Sequence, residues 1–180
     1  MAVGPQNDDE QQLAERIRAD TPNWPVEAVD GWLFEVAKGY GWPPDERWRH
    51  VLNLHPFERW RDVRWEREDV DLEGLALVRL SIDTITGLVR AYGGEANRFS
   101  NIVNSHARID RIAPYIIRNG TLPLAPLLLR SGEGFELLDG SHRLAAFFMV
   151  KHWKATGELP ADPPLRATHE VVIANAPADW

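Results

Sequence analysis

A run of five residues, DGSHR, combines the side chains that a phosphate site requires. Arg143 can grip a phosphate through two parallel hydrogen bonds, with His142 beside it and Ser141 able to donate to a phosphate oxygen. Gly140 has no side chain, so a ligand can approach the backbone closely there. Asp139 can bind a metal ion that accompanies the phosphates, or accept a proton from an attacking hydroxyl. The residue types therefore predict an anion site with Asp139 and His142 as candidate catalytic residues.

The elements around this run are predicted to be a strand and a buried helix. Residues 135–138 follow a Gly-rich turn and read as a strand, and an almost entirely apolar helix starts near His142 and continues to Val150. The first N–H groups of a helix have no acceptor within the helix, and the helix dipole adds partial positive charge there. A phosphate at such a helix start is held by backbone donors. The order of strand, tight turn and helix therefore favours the same anion site.

A purely structural interpretation of the run stays open. In that interpretation Asp139 and Ser141 only shape the turn, while the two residues that follow form a solvated first helical turn. A short motif by itself is only a hypothesis. The position of the run, directly between a predicted strand and a predicted buried helix, favours the functional interpretation.

The sequence of residues 134–146, GFELLDGSHRLAA, resembles the signature of the ParB/sulfiredoxin superfamily. Members of that superfamily carry a strand, a Gly-X-His-Arg or Gly-X-Arg-Arg turn and an apolar helix. The variant is most similar to the Asp-Gly-His-His-Arg loop of ParB-like free serine kinases and to the Asp-Gly-Gln-His-Arg domains linked to DNA phosphorothioation. Residues 106–127 also resemble the helix and the Pro-led strand that precede this loop, so the resemblance spans roughly residues 104–150.

The resemblance implies an α/β (α+β) fold, a small mixed sheet with helices, that holds a nucleotide on the loop. The residues that would bind the nucleotide are Gly140, Ser141, His142, Arg143 and, on the preceding helix, Arg108. The resemblance further implies ATP or CTP as the ligand, with Mg²⁺ held at Asp139. The implied activity is that of an ATP-dependent phosphotransferase or a nucleotide hydrolase, and the sequence leaves open which of the two it is.

Two departures from the superfamily pattern restrict this activity. Sulfiredoxins need a cysteine before the His-Arg pair, whereas this chain has Ser141 there and no cysteine at all, so reduction of a sulfinic acid by that mechanism is excluded. Chromosome-partitioning ParB proteins carry an Arg-Arg pair and a downstream helix-turn-helix domain. Here His142 replaces the first arginine, and the chain ends at Trp180, which counts against chromosome partitioning.

The composition bears on two alternative functions. The formal net charge of −7 disfavours a nucleic-acid-associated module, with DNA binding or nuclease activity, because such binding needs clustered Lys and Arg. The other alternative is a non-catalytic interaction protein. Its working surface would be the N-terminal region, which holds six of the eight tryptophans, at or before Trp65. Tryptophans at this density also fit a buried packing layer, the interpretation that we favour over a protein-partner surface.

The patterns further predict a helical extension in residues 1–60 and a ParB/sulfiredoxin-like domain in residues 61–180. In the extension, residues 1–10 read as a tail, and helices are predicted for residues 9–20, 26–40 and 45–54. In the domain, strands are predicted for residues 63–72, 75–82, 127–130, 135–138 and 166–174, with helices starting near residues 83 and 142. A further helix carries the apolar stripe of residues 109–117, and it either kinks at Pro114 or begins near Asp110.

The chain shows no targeting signal that would change this picture. Residues 1–10 are polar and acidic, unlike a signal peptide. The apolar run at residues 144–150 is too short to cross a bilayer. These features, together with the absence of cysteine, predict a cytoplasmic protein with no membrane partner.

Overall fold

The computed structural model describes residues 5–102, 104–132, 134–177 and 180. The fold is α+β, which confirms the expected class. Six α-helices and four strands form in the described residues: α1 (Pro5–Asp20), α2 (Phe34–Tyr40), α3 (Phe57–Trp60), β1 (Arg64–Val70), α4 (Arg79–Tyr92), α5 (Ser105–Asn119), β2 (Leu127–Ser131), β3 (Gly134–Asp139), α6 (Ser141–Ala155) and β4 (His169–Asn175). A π-helical segment, Glu27–Leu33, precedes α2, and a 3₁₀ turn, Glu46–Trp48, follows it.

The chain divides into two compact units. The first comprises Met1–Glu66 with Ala174–Trp180, and the second comprises Arg67–Ile173. In the first unit several tryptophans are buried and their rings touch, with Trp32 and Trp60 centred 5.5 Å apart and Trp42 and Trp48 5.7 Å apart. This confirms the interpretation of the tryptophans as a packing layer.

Two predictions in this unit are wrong. Helix α1 already begins at Pro5, a residue that suits a first helical position, so residues 5–10 do not form a tail. In place of the helix predicted for residues 45–54 there is only the 3₁₀ turn Glu46–Trp48, and Asn53 and Leu54 have φ values of 51° and 65°. Those left-handed conformations cannot continue a right-handed helix.

The sheet has the strand order β1-β4-β2-β3. Strands β2 and β3 form an antiparallel hairpin in which Leu128 lies opposite Leu137. The outer edge of β3 is also occupied, because the N–H of Phe135 donates to the carbonyl of Ala76 and the Phe135 carbonyl accepts from Val78. This edge segment makes a parallel bridge, so the contacts within the sheet are mixed.

The strand predicted for residues 75–82 is wrong. Only a single bridge forms there, at Leu77, and helix α4 starts at Arg79. Helical spacing of Ile85, Leu88 and Ala91 buries one face of α4, which a strand could not achieve. The branched residues in 75–82 fit a strand as well as a helix. Burial in the tertiary structure favours the helix from Arg79 onward.

Helices α4, α5 and α6 pack together and share the core of the second unit with the sheet. Helix α6 is buried along most of its length, as its composition predicts, with Leu144, Ala145 and Val150 almost fully covered. Within the described ranges, no helix combines the length and the apolar character needed to cross a membrane.

Candidate functional site

The predicted loop lies at the junction of β3 and α6. Asp139 is the last residue of β3, Gly140 is the N-cap and Ser141 is the first residue of α6. Gly140 has a φ of 107°, and a Cβ atom there would lie 3.0 Å from the Cβ of Pro126. The tight turn therefore requires glycine for its conformation and for its close packing.

The start of α6 leaves several backbone donors available. The N–H of Leu144 is the first to bond within the helix, to the carbonyl of Gly140 at 2.9 Å. In the described structure no side chain caps the helix, so the amides of Ser141, His142 and Arg143 have no capping acceptor. These amides and the helix dipole favour an anion at this position.

The guanidinium of Arg143 is already paired. Its Nη2 lies 2.7 Å from Oδ2 of Asp139, and the two side chains are only 14% and 33% exposed. Its Nε is buried and has no hydrogen-bond partner among the residues that the structure places. Arg143 is thus not the open phosphate grip that the sequence predicts, since a ligand must first exchange with Asp139 or use the remaining donors.

His142 connects the loop to the start of α5. Its Nε2 lies 3.2 Å from Oγ of Ser105, the buried first residue of α5. Burial lowers the pKa of His142, the charges of Arg108 and Arg143 lower it further, and Asp139 opposes this effect. His142 is therefore neutral at pH 7, and Arg108 is near enough to act on it. The structure thus places five of the six predicted site residues on one turn, with Arg108 on the helix α5.

The starts of α4 and α6 border a small cavity next to the loop. It has a volume of about 260 Å³, and Asp139 and Ser141 line it together with Ser81, Thr84 and Glu136. Ser81 is buried and its Oγ accepts from the N–H of Leu137. Sequence patterns do not place Ser81, Thr84 or Glu136 at the site, and the strand predicted for residues 75–82 puts Ser81 on a different element.

A metal ion at this site would need the phosphates of a bound nucleotide in addition to the protein's own side chains. No cluster of three or more His, Asp or Glu side chains is placed to hold a metal anywhere in the described ranges. Mg²⁺ commonly binds through one or two carboxylates together with the phosphates of a nucleotide. Asp139 fits that role as a single protein ligand, but it does not constitute a metal site alone.

Acid is expected to destabilise the second unit partly through His142. Because the pKa of His142 is lowered in the folded chain, the unfolded chain gains this proton as the pH falls through about 6.5, and the folded chain gains it only at a lower pH. The free energy of unfolding should therefore fall there. His142→Asn should reduce this pH dependence in urea titrations followed by circular dichroism, and His50→Asn, the same change at an exposed position, is the control. An unchanged pH dependence in His142→Asn would contradict the prediction.

Comparisons of the chain with protein-family models, with curated proteins and with solved structures gave no match. The ParB/sulfiredoxin resemblance consequently rests on the residues of the loop and of the segment before it. What the geometry adds is a strand, a glycine turn and an uncapped helix start, with two arginines and a neutral histidine around them.

Proposed function

We propose that the loop at residues 139–143 binds the phosphates of a nucleoside triphosphate, ATP or CTP, together with Mg²⁺. The observation that carries this proposal is the uncapped start of α6, around which Arg143, His142 and Arg108 are gathered. Backbone donors and two guanidinium groups near one helix start suit a multiply charged anion. The proposal includes membership of the ParB/sulfiredoxin superfamily and a cytoplasmic location.

The ion pair between Asp139 and Arg143 suits a nucleotide that carries its own metal. A phosphate alone would take Arg143 and leave Asp139 unpaired, at a cost in free energy. A Mg²⁺–nucleotide complex brings an anion for Arg143 and a cation for Asp139. Arg143 then exchanges one anionic partner for another, and Asp139 exchanges one cationic partner for another.

The reaction that fits this arrangement is phosphoryl transfer or nucleotide hydrolysis. Charge develops on the phosphate oxygens in such a reaction, and the loop amides with Arg143 would stabilise that charge. Asp139 would hold the metal ion or accept the proton of the attacking hydroxyl. The neutral His142 can accept a proton at one ring nitrogen and donate a hydrogen bond from the other, and its tautomer decides which nitrogen has which role.

The proposal is tested by titration calorimetry of the full chain with ATP and CTP, with and without Mg²⁺. We expect the wild type to bind, and Arg108→Gln to bind about fivefold more weakly because one exposed charge is lost. The matched control is Arg111→Gln, one turn further along α5 and also exposed, which should bind like the wild type.

The other outcomes of the titration overturn the proposal. Salt-sensitive binding of an oligonucleotide without nucleotide binding would instead support the nucleic-acid-associated module. Binding of neither ligand would support a non-catalytic interaction protein. The net charge of −7 continues to disfavour the nucleic-acid module.

A further inference from the structure

A second and larger cavity lies in the same unit, on a different face of α4. Its volume is about 540 Å³, which falls within the usual range of small-molecule sites. The lining is mostly apolar and includes Leu72, Leu75, Ile82, Ile85, Val89 and Phe148. Helix α4 gives Ser81 and Thr84 to the loop cavity but Ile85 and Val89 to this one. The two cavities are therefore distinct.

The charged residues of the larger cavity are not equivalent. Glu73 is neutralised by an ion pair with Lys151. Arg90 is held only loosely, since its Nε is 3.9 Å from Oε2 of Glu95, which is too long for a hydrogen bond. The Arg90 side chain is also 62% exposed. One guanidinium at the cavity is thus available to an anionic group, while the acidic residue is occupied.

We propose that this cavity binds a small amphipathic carboxylate, such as a medium-chain fatty acid or an arylalkanoic acid. The hydrocarbon part would cover the apolar lining, which gains free energy by leaving water. The carboxylate would pair with Arg90, whose planar fork matches two carboxylate oxygens. Ile82 is exposed and also lines this cavity, so a bound ligand that covers it would remove apolar surface from water.

The test uses decanoate and decanol as probes, titrated into the full chain and followed by two-dimensional NMR and calorimetry. The wild type should bind both probes. Arg90→Gln should weaken the binding of decanoate about fivefold and leave that of decanol unchanged, because only the carboxylate needs the cation. Arg79→Gln, an exposed arginine on the same helix that does not line the cavity, is the matched control and should change neither.

A blocking variant tests the position of the site. Val89→Trp should fill the cavity and abolish the binding of both probes, and Ile82→Trp, at an exposed position, serves if the first variant does not fold.

Three results would overturn the proposal. They are no binding of either probe, equal loss of decanol and decanoate in Arg90→Gln, and a dimer in sedimentation that excludes both probes. The last result would show that a second copy covers the cavity. Nucleotide binding at the loop is not required for any of these outcomes.

Discussion

Replacing Arg143 by alanine is expected to weaken the binding of Mg²⁺–ATP or Mg²⁺–CTP by about 30- to 5000-fold, the usual cost of removing one partner of a desolvated charge pair. The variant loses a guanidinium that is only 14% exposed, and with it the side-chain cation that would pair with the phosphates. Asp139 keeps the Mg²⁺ of the complex as its partner, so the loss falls on the phosphate contact. Calorimetry on both proteins measures the change, and equal dissociation constants would contradict the prediction.

Two further variants separate charge from geometry at this pair. Arg143→Lys keeps the charge but loses the planar fork, so its affinity should lie between those of the wild type and Arg143→Ala. Asp139→Asn releases the guanidinium, so it should strengthen the binding of tripolyphosphate without Mg²⁺ and reduce the benefit of adding Mg²⁺. Arg130→Ala breaks an ion pair with Glu68 at an exposed position and serves as the control for a general loss of charge.

Replacing Gly134 by alanine is expected to lower the free energy of unfolding by about 3–5 kcal/mol, from backbone strain and overpacking together. Gly134 has a φ of 134°, and a Cβ atom there would lie 2.2 Å from the carbonyl oxygen of Ala76. That oxygen accepts the hydrogen bond from Phe135, so it cannot move aside without breaking the edge of the sheet.

The same turn supplies a matched control. Gly132→Ala places its Cβ in open space, with no atom within 4 Å, and should change the free energy of unfolding by less than about 0.5 kcal/mol. Urea titrations followed by circular dichroism compare the two variants. Similar midpoints for Gly134→Ala and Gly132→Ala would show that the edge segment does not constrain the hairpin.

Local sequence signals were sufficient for the part of the fold that carries the loop. The hairpin β2–β3 follows from two apolar runs around a Gly-containing turn, and α6 follows from an unbroken apolar segment after Gly140. The start of α4 could not be predicted in this way, because the apolar, branched residues between Leu75 and Ile82 fit a strand as well as the beginning of a helix. Its position depends on the hydrogen bond between Leu137 and Ser81, residues 56 positions apart.

The candidate site was predictable in its residues but not in its contacts. The four-residue spacing of Asp139 and Arg143 was visible, yet Asp139 ends a strand and the chain turns at Gly140 before the helix begins, so the usual helical pairing rule does not apply. The contact between His142 and Ser105 depends on how α5 packs against α6. No local pattern indicated Ser105, since its role comes from a neighbour 37 residues away.

The distribution of the tryptophans determines what an optical experiment on this protein can detect. Seven of the eight indoles lie in the unit of Met1–Glu66 with Ala174–Trp180, and only Trp153 lies in the unit that contains the loop. Intrinsic emission will therefore report almost entirely on the first unit. A melting curve recorded by emission and one recorded by backbone ellipticity would coincide only if both units unfold in a single cooperative step.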